Sequence, residues 1–425
     1  MQKWNLHIRI SLLSVIKAGG DARKIMFALG LTCFVLSCFM HNTAVIGNAA
    51  IILRALDPSG TNETIRYKYG KVLFLVVAWS STIGGTSTLI GTGTNLSLGV
   101  VLRIAFGKAG EENNPDFVQW MKFALPYAFI LNILMLSTLY KPANQANREV
   151  RLASIADLEE GKQSGASVVD GFKDRYKKLG PASYEEKVVG ICFAFAACLW
   201  VTRTSWFGFG SGWSGLFKNG ALFSDATVAV AISVVFFLIP ARAPNKDKSK
   251  YHRILDWKAT KQLPYEMLFL FGCGFVIARV FTSSGLDLYL ADKLKVLETV
   301  PLPILMWSLC QFASFVSEVT SNTSASLSIL PIVAAMSRAI QVHPFMLMIP
   351  VTLACSNAYM LISATPPNSV VFGHRQEVDL QVSDMAKRGI WISLIGNVLL
   401  VSYSLLFLPR IYGISLDFPE WANVE

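Results

Sequence analysis

Charge is scarce in this sequence. Lys, Arg, Asp and Glu together make up 16% of its 425 residues, against about 25% in an average soluble domain. Hydrophobic residues make up 53%, and the mean hydropathy is +0.46. A soluble protein of this length needs more polar surface than that. The composition therefore argues against a soluble globular protein.

Several chemical signatures are also missing. The seven cysteines lie in apolar segments without CxxC or Cys/His ligand spacing, so neither a disulfide framework nor a zinc site is expected. Nucleophile–base pairs and metal clusters are not recognisable, and we expect no enzyme. The net charge of +10 is not arranged as a basic stripe with interleaved aromatics, so no nucleic-acid partner is expected. The first 20 residues do not have the layout of a cleavable signal peptide.

Long apolar runs stand in place of charge. A helix needs about 20 predominantly apolar residues to cross a bilayer. We predict ordinary membrane spans at about residues 118–140, 188–203, 223–240, 263–281 and 388–409. The lipid bilayer is thus the first expected partner, and the plasma membrane the expected location.

Four further apolar stretches are interrupted by polar residues. Residues 26–53 and 301–340 each carry a central Asn-Thr. Because ten helical residues rise about 15 Å, half the hydrocarbon core, each stretch predicts a re-entrant hairpin with its tip at mid-membrane. Residues 70–106 and 343–373 are interrupted by Gly, Thr and Pro and predict broken helices. Irregular backbone is tolerated at that depth only where it is buried in protein or lines a cavity.

The order of hairpin and broken helix occurs twice. We predict a first repeat at 1–140, a cytoplasmic loop at 141–187 and a second repeat at 188–425. Lys and Arg concentrate in 141–187 and 241–262, which places both loops in the cytoplasm. The first hairpin then opens to the cytoplasm and the second to the outside. The predicted fold is an all-α polytopic transporter with two inverted repeats.

The predicted tips and breaks contain no Arg or Lys. An anion there would depend on the N-termini of half-helices and on bound sodium ions. Carbonyl and Ser/Thr/Asn oxygens suit such a hard cation. These polar residues can equally serve as helix caps or interhelical hydrogen bonds, and the pattern leaves that alternative open. For the ionisable Glu318, Glu266 and Arg279 we expect structural pairing or an interfacial position rather than a place on the ion path.

At these motifs the chain resembles the divalent anion/sodium symporter family, the sodium/dicarboxylate, citrate and sulfate cotransporters. The resemblance covers nearly the whole chain. It is carried by Ser321-Asn322-Thr323, Ala364-Thr365-Pro366-Pro367-Asn368, Ile83-Gly84-Gly85-Thr86, Gly91-Thr92-Gly93, Pro264-Tyr265-Glu266, Gly272-Cys273-Gly274-Phe275 and Trp4-Asn5-Leu6-His7.

The resemblance implies sodium-coupled symport of a small anion, a di- or tricarboxylate of the succinate and citrate class, by an elevator motion against a dimeric scaffold. The implied substrate ligands are Asn42, Thr43, Thr92, Asn322, Thr323 and Thr365. The implied ligands of one sodium are Ser37, His41, Asn42 and the Gly91 carbonyl, and those of the other are Ser317, Ser321, Asn322 and the Ala364 carbonyl.

Three departures from the family pattern matter. His41 replaces a serine at the first sodium position, and an imidazole is a poorer sodium ligand whose charge changes near physiological pH. Thr82 and Thr94 stand where Asn and Pro are common. The chain begins at what would be the fourth family helix, so the first three are expected to be missing. Alternatives are therefore sulfate-type cotransport, or a transport-deficient relative acting as a partner or sensor. A channel is disfavoured, because channels usually place one filter on a symmetry axis.

Overall fold

The computed structural model describes residues 1–19, 21–40, 64–159, 168–205, 210–242, 252–261 and 265–423. Within these ranges the regular structure is helical, and the only extended pairings are the isolated bridges of Pro240 with Arg253 and of Val342 with Asp417. The predicted all-α fold is confirmed.

The helices are numbered along the described chain. They are α1 (Leu6–Ala18), α2 (Ala22–Ser37), α3 (Gly70–Thr86), α4 (Gly93–Glu112), α5 (Phe117–Glu159), α6 (Val168–Lys178), α7 (Tyr184–Val201), α8 (Asp225–Leu238), α9 (Trp257–Thr260), α10 (Glu266–Ser283), α11 (Leu286–Leu294), α12 (Leu302–Val319), α13 (Asn322–Ala339), α14 (Pro344–Ala354), α15 (Pro366–Gly373), α16 (Arg375–Val378) and α17 (Val382–Tyr412).

The chain divides into two compact units. The first comprises Met1–Ile10 and Asp174–Tyr265, and the second comprises Ser11–Lys173 and Glu266–Glu425. In the first unit α7 packs against α8, and Arg9 forms a buried ion pair with Glu186, with Nε and Oε2 3.0 Å apart. The second unit contains both broken helices and therefore holds the candidate site.

Helix α3 is enclosed by the rest of the second unit. Every residue from Val72 to Thr86 is buried, and α2 and α5 pack against it. A helix that is apolar on all sides is stable only when it is surrounded. Gly84 allows α2 to come close, because a Cβ at this position would lie 2.3 Å from the carbonyl oxygen of Phe34.

Both broken helices restart after a threonine. The first is interrupted between α3 and α4, and α4 begins directly after Thr92; the second is interrupted between α14 and α15, and α15 begins directly after Thr365. Both threonines are extended N-cap residues, with φ of −147° and −137°. The two breaks thus end in the same local geometry.

One end of the second unit, here called the Lys71 end, gathers the start of α3, the end of α15 and the start of α17. The Lys71 Nζ lies 3.0 Å from Oδ2 of Asp384 in the first turn of α17. The ring of Phe74 lies 6.0 Å, centroid to centroid, from that of His374, which directly follows α15.

The opposite end, the His343 end, gathers the start of α14 and the segment after α17. The backbone N–H of His343 donates to the carbonyl of Leu416 at 2.8 Å. Trp421 packs edge-on against Phe106 near the end of α4, with ring centroids 5.6 Å apart, and its ring also lies 6.0 Å from Phe345 of α14. The α3–α4 and α14–α15 pairs therefore run antiparallel to each other.

The hairpins follow the same inversion. The Tyr69 hydroxyl donates to the carbonyl of Ala22 at 2.6 Å, so α2 starts at the Lys71 end. Arg338, in the last turn of α13, lies over the Phe106 ring at 5.7 Å, so α13 ends at the His343 end. The returning arm of the first hairpin lies outside the described residues. The sides of the membrane to which the hairpins open stay predictions.

The second hairpin joins α12 to α13 through two residues, Thr320 and Ser321. Each arm has 18 residues and rises about 27 Å, more than the roughly 15 Å assumed for a half-helix. Arm length alone therefore does not place the tip at mid-membrane, and that depth stays a prediction.

Among the residues that the structure describes, three helical segments are long and apolar enough to cross a membrane: Phe117–Gln145, Leu302–Val319 and Val382–Tyr412. Helix α5 differs from the span expected at 118–140, because it continues through Pro142 to Glu159. Residues 143–159 are rich in Ala, Leu, Glu and Arg, which favour helix beyond the apolar segment. The expected loop 141–187 therefore contains the end of α5 and all of α6.

Candidate functional site

The tip of the second hairpin meets the second break at Asn322. The oxygens of three other residues converge on one atom of its side-chain amide: Ser317 Oγ at 2.7 Å, the Ala364 carbonyl at 3.0 Å and the Cys355 carbonyl at 3.2 Å. Ser317 Oγ is itself 2.5 Å from the Cys355 carbonyl. Helix α12 supplies Ser317 one turn before the tip, and the ends of the break supply the two carbonyls. The predicted grouping of Ser317, Asn322 and Ala364 is thus present in the structure.

The orientation of the Asn322 amide decides what this cluster can bind. With the nitrogen facing the cluster, the amide donates to both carbonyls and to Ser317. With the oxygen facing the cluster, Oδ1 can accept only from the Ser317 hydroxyl, and it then shares the space with two carbonyl oxygens that have no hydrogen to offer. In that orientation oxygens of Ser317, Asn322, Cys355 and Ala364 lie close together, and such a group of neutral oxygens is the kind of ligand set that a hard cation such as sodium takes.

Glu318 fixes the backbone of the second break. Its carboxylate is buried and accepts from the N–H groups of Met360 at 2.9 Å and Leu361 at 2.7 Å. Ser363 Oγ donates to the Glu318 carbonyl at 3.3 Å. Unwound backbone leaves N–H groups without helical partners, and an ionised acceptor satisfies them strongly. The expected structural pairing of Glu318 is what the structure has.

Two matched asparagines hold the breaks. Asn95 and Asn368 each lie three residues after the N-cap threonine, and both are fully buried. Asn95 Nδ2 lies within hydrogen-bond distance of the carbonyls of Gly85, Thr86 and Thr88, with the shortest distance 2.7 Å to Thr88. Asn368 Nδ2 donates to the carbonyl of Leu361 at 2.9 Å. The two asparagines therefore have the same structural role in the two breaks.

The first half of the site is described in part. Ser37 is buried, and its hydroxyl donates to the carbonyl of Ser81 at 2.6 Å. In both this contact and that of Ser317 with Cys355, a hairpin serine donates to a carbonyl before a break, although Ser81 lies within α3 and Cys355 directly follows α14. Gly91 is buried, and a Cβ there would lie 2.3 Å from the Gly85 carbonyl oxygen, so the position requires glycine. His41, Asn42 and Thr43 lie outside the described residues.

The structure distinguishes the remaining predicted ligands. Thr323 and Thr365 are buried, and Thr365 Oγ1 has no hydrogen-bond partner among the described residues. Thr92 is half-buried, with Oγ1 3.5 Å from that of Thr94. Ser321 is exposed and caps α13 without a side-chain hydrogen bond to the helix. Ser321 does not join the Asn322 cluster.

The two halves of the site meet through a pair of serines. Ser97 of α4 and Ser326 of α13 are fully buried, with their Oγ atoms 2.6 Å apart. Thr82, where the family commonly has Asn, instead donates to the carbonyl of Ala78 in its own helix at 3.0 Å. Its hydroxyl therefore serves α3.

A buried network around Asn357 was not predicted. Asn357 Nδ2 donates to the Tyr127 hydroxyl at 3.0 Å and to Asn397 Oδ1 at 2.8 Å. The Tyr359 hydroxyl donates to Asn357 Oδ1 at 3.0 Å, and Ser314 Oγ donates to the Asn357 carbonyl at 2.7 Å. This network attaches the second break to α5, α12 and α17. The available sequence signal was Asn397, a strongly polar side chain inside an apolar span.

The described residues also bear on metal binding and disulfide formation. They contain no group of three or more His, Cys, Asp or Glu side chains arranged to hold a metal. The described cysteines are all free thiols. The polar groups gathered at Asn322 are neutral oxygens and backbone carbonyls.

Relatives of known type share most of this chain. The sodium-dependent dicarboxylate transporter SdcS of Staphylococcus saprophyticus is 33% identical over 429 aligned residues, which cover 99% of this chain and 76% of SdcS. SdcS of Staphylococcus aureus strain MRSA252 has the same identity and coverage.

Solved structures of transporters share the fold. The YdaH transporter of Alcanivorax borkumensis gives a TM-score of 0.51 at 14% identity, covering 97% of this chain and 86% of its own. MtrF of Neisseria gonorrhoeae gives 0.50 at 13% identity, covering 94% and 80%.

The family described as the sodium:sulfate symporter transmembrane region matches residues 1–412. The family match is consistent with the antiparallel broken helices and with the oxygen cluster at Asn322. This chain is a multi-pass membrane transport protein, not an enzyme, and it belongs to the sodium:sulfate symporter family.

Proposed function

We propose that this protein is a sodium-coupled symporter of small dicarboxylate anions in the plasma membrane. The observation that carries the proposal is the convergence of Ser317, Cys355 and Ala364 oxygens on the Asn322 amide. The SdcS relatives, which are sodium-dependent dicarboxylate transporters by name, support the substrate class.

Charge balance accounts for the coupling. The tips and breaks carry no Lys or Arg, so a dianion must be stabilised by other positive charge. Helices α13 and α15 begin beside the cluster, and helix N-termini carry unpaired N–H groups and partial positive charge. Sodium ions supply the rest. Each ligand then raises the affinity for the other by the same factor, which is the thermodynamic basis of symport.

The proposed ligands keep the two half-sites distinct. One sodium would bind Ser317, Asn322 and the Ala364 carbonyl, with the Cys355 carbonyl as an added ligand. The other would bind Ser37, His41, Asn42 and the Gly91 carbonyl. The substrate carboxylates would bind Asn42, Thr43, Asn322 and Thr323, aided by Thr92 and Thr365. Ser321 is exposed and would act through its backbone as the N-cap of α13.

An elevator motion of the site is part of the proposal. The antiparallel broken helices and hairpins offer two related gates, one for each side of the membrane. Residues 1–140 and 188–425 would form the two repeats, and the transporter would work as a homodimer. A mass measurement in detergent by light scattering, giving one copy per particle, would refute the dimer.

Transport is tested with purified protein in proteoliposomes. We expect labelled succinate to accumulate when a sodium gradient points inward and not when potassium or choline replaces sodium. Labelled citrate and sulfate are measured in parallel. Sodium-driven sulfate uptake without succinate uptake would replace the dicarboxylate by a sulfate-type anion. If the folded protein transports neither succinate, citrate nor sulfate, the remaining interpretation is a transport-deficient partner or sensor.

Asn322→Ala should abolish sodium-driven uptake while the yield of monodisperse protein stays close to that of the parent. One side chain serves both a sodium and a carboxylate, so its loss removes both interactions. Asn219→Ala is the matched control, because Asn219 is an exposed asparagine in the first unit. Uptake by Asn322→Ala at the level of this control would remove Asn322 from the site.

A further inference from the structure

A polar cavity lies at the Lys71 end of the second unit. Its volume is about 240 Å³, and its lining includes Tyr67, Lys68, Lys71, Gln145, Asp384 and Arg388. The Asn322 cluster contributes none of its lining. The cavity is therefore separate from the proposed transport site.

The cavity lies where three apolar helices begin or end. Helix α3 becomes continuously buried and apolar from Val72 onward, directly after Lys71. The membrane-spanning segment of α5 ends at Gln145, and that of α17 begins at Val382. Side chains that surround the ends of several spanning segments lie at the membrane–water interface, the depth of phospholipid headgroups.

The charges around the cavity favour an anion. Its lining has three cationic side chains, those of Lys68, Lys71 and Arg388, and one carboxylate, that of Asp384. Lys71 Nζ lies 3.0 Å from Oδ2 of Asp384 and 3.6 Å from Oδ2 of Asp379, which lies outside the lining. Lys71 is therefore already paired, and Arg388 is the main reason to expect an anion. No ion pair joins Arg388 to any residue that the structure describes, although its side chain is half-buried. A half-buried guanidinium without a counter-ion favours a bound anion.

We propose that this cavity binds a phosphate group, with Arg388 as the principal ligand and Lys68 and Lys71 as supporting charges. Guanidinium binds phosphate oxygens through two parallel N–H···O bonds, and basic pockets between membrane helices at the interface bind anionic headgroups. The phosphate is carried by an anionic phospholipid or is free in solution. The site is independent of the transported anion, and its occupancy links the start of α3 to the start of α17.

Binding is measured without reference to transport. The full chain is purified in detergent, and phosphatidylglycerol or phosphatidylcholine is titrated while native mass spectrometry records the bound lipid. The variants are Arg388→Gln, Arg388→Lys and the control Lys387→Gln, whose side chain is exposed and outside the cavity lining. Inorganic phosphate is titrated separately against chloride at equal ionic strength, with thermal unfolding as the readout.

We expect the parent to prefer phosphatidylglycerol to phosphatidylcholine. Arg388→Gln should weaken that binding about fivefold, since an interfacial cation contributes about that factor, while Lys387→Gln stays within about twofold. Arg388→Lys keeps the charge but loses the paired N–H groups, so its affinity should lie between those of the parent and Arg388→Gln. Stabilisation by phosphate that Arg388→Gln loses, with no lipid preference, would support the site with a soluble ligand. If Arg388→Gln binds both ligands as Lys387→Gln does, the proposal is overturned. Arg388→Lys keeps the positive charge, so comparing it with Arg388→Gln separates loss of charge from loss of folding.

Discussion

Glu318 is a buried carboxylate whose described partners are backbone N–H groups. Glu318→Ala would leave the N–H groups of Met360 and Leu361 without an acceptor, and a buried unsatisfied donor costs about 1–3 kcal/mol. We therefore expect the variant to unfold at lower temperature in detergent and to lose sodium-driven uptake. Glu318→Gln retains one acceptor oxygen, so its unfolding temperature should lie between those of Glu318→Ala and the parent.

Glu298→Gln serves as the control for charge removal, because Glu298 is exposed. Equal unfolding temperatures for Glu318→Ala and Glu298→Gln would show that the break does not depend on the Glu318 carboxylate.

His41 gives a prediction that rests on the sequence. If an imidazole replaces a hydroxyl ligand at the first sodium position, protonation places a cation where sodium should bind, and like charges within about 4–6 Å disfavour each other. Apparent sodium affinity should then fall as the pH drops through the His pKa, ordinarily about 6.5. His41→Ser should raise sodium affinity and flatten its pH dependence in sodium activation curves of uptake. Overlapping curves for parent and variant would indicate that His41 faces away from the ion.

The family resemblance predicted part of the contact cluster at Asn322. The resemblance grouped Ser317, Asn322 and Ala364, and the structure brings them together. The Cys355 carbonyl was not predicted, because a main-chain oxygen has no residue-type signature. Its direction depends on where α14 ends, which the sequence marks only to within a few residues.

Among the elements, α3 and α2 depend on one glycine. In Gly84→Ala the new Cβ would lie 2.3 Å from the Phe34 carbonyl oxygen, which is backbone and cannot rotate away. Overpacking of this kind costs about 1–3 kcal/mol. We expect a lower unfolding temperature and a lower yield of monodisperse protein than for Gly272→Ala, whose Cβ meets nothing within 4 Å. A Gly84→Ala protein as stable as this control would mean that α2 shifts without cost.

The length and spacing of apolar runs predicted most elements, because hydrocarbon thickness constrains both. The breaks between α3 and α4 and between α14 and α15 fall inside the stretches predicted as interrupted. Element ends were less predictable. Helix α5 runs to Glu159 because helix propensity continues after the apolar segment stops.

At the scale of the whole molecule, the inverted repeats predict that the Lys71 end and the His343 end face opposite sides of the membrane. Ser383 lies at the Lys71 end and Ser415 at the His343 end, and both are exposed. In a background with the native cysteines replaced, Ser383→Cys should react with a membrane-impermeant maleimide from the cytoplasm and Ser415→Cys from outside. The reason is that Lys- and Arg-rich loops stay in the cytoplasm. Labelling of both from one side would contradict the proposed orientation.

The opposite direction of the two halves could be predicted from loop charge, but their internal connections could not. The Asn357 network joins helices far apart in the chain, and the Ser97–Ser326 contact joins the two broken-helix systems. Only tertiary packing brings the residues of these contacts together, and no local sequence pattern specifies their partners.

The Asn322 amide has a consequence for the unloaded carrier. If sodium binds here as proposed, rotating the amide by half a turn after the ion leaves would bring its nitrogen toward the Ala364 and Cys355 carbonyls. The amide N–H groups would then donate to the carbonyl oxygens that had faced the ion, so these oxygens would have partners without a bound water. We expect the tip of the second hairpin to stay in contact with the second break when no sodium is bound. Arrival of the next ion would compete with an amide hydrogen bond rather than fill a void.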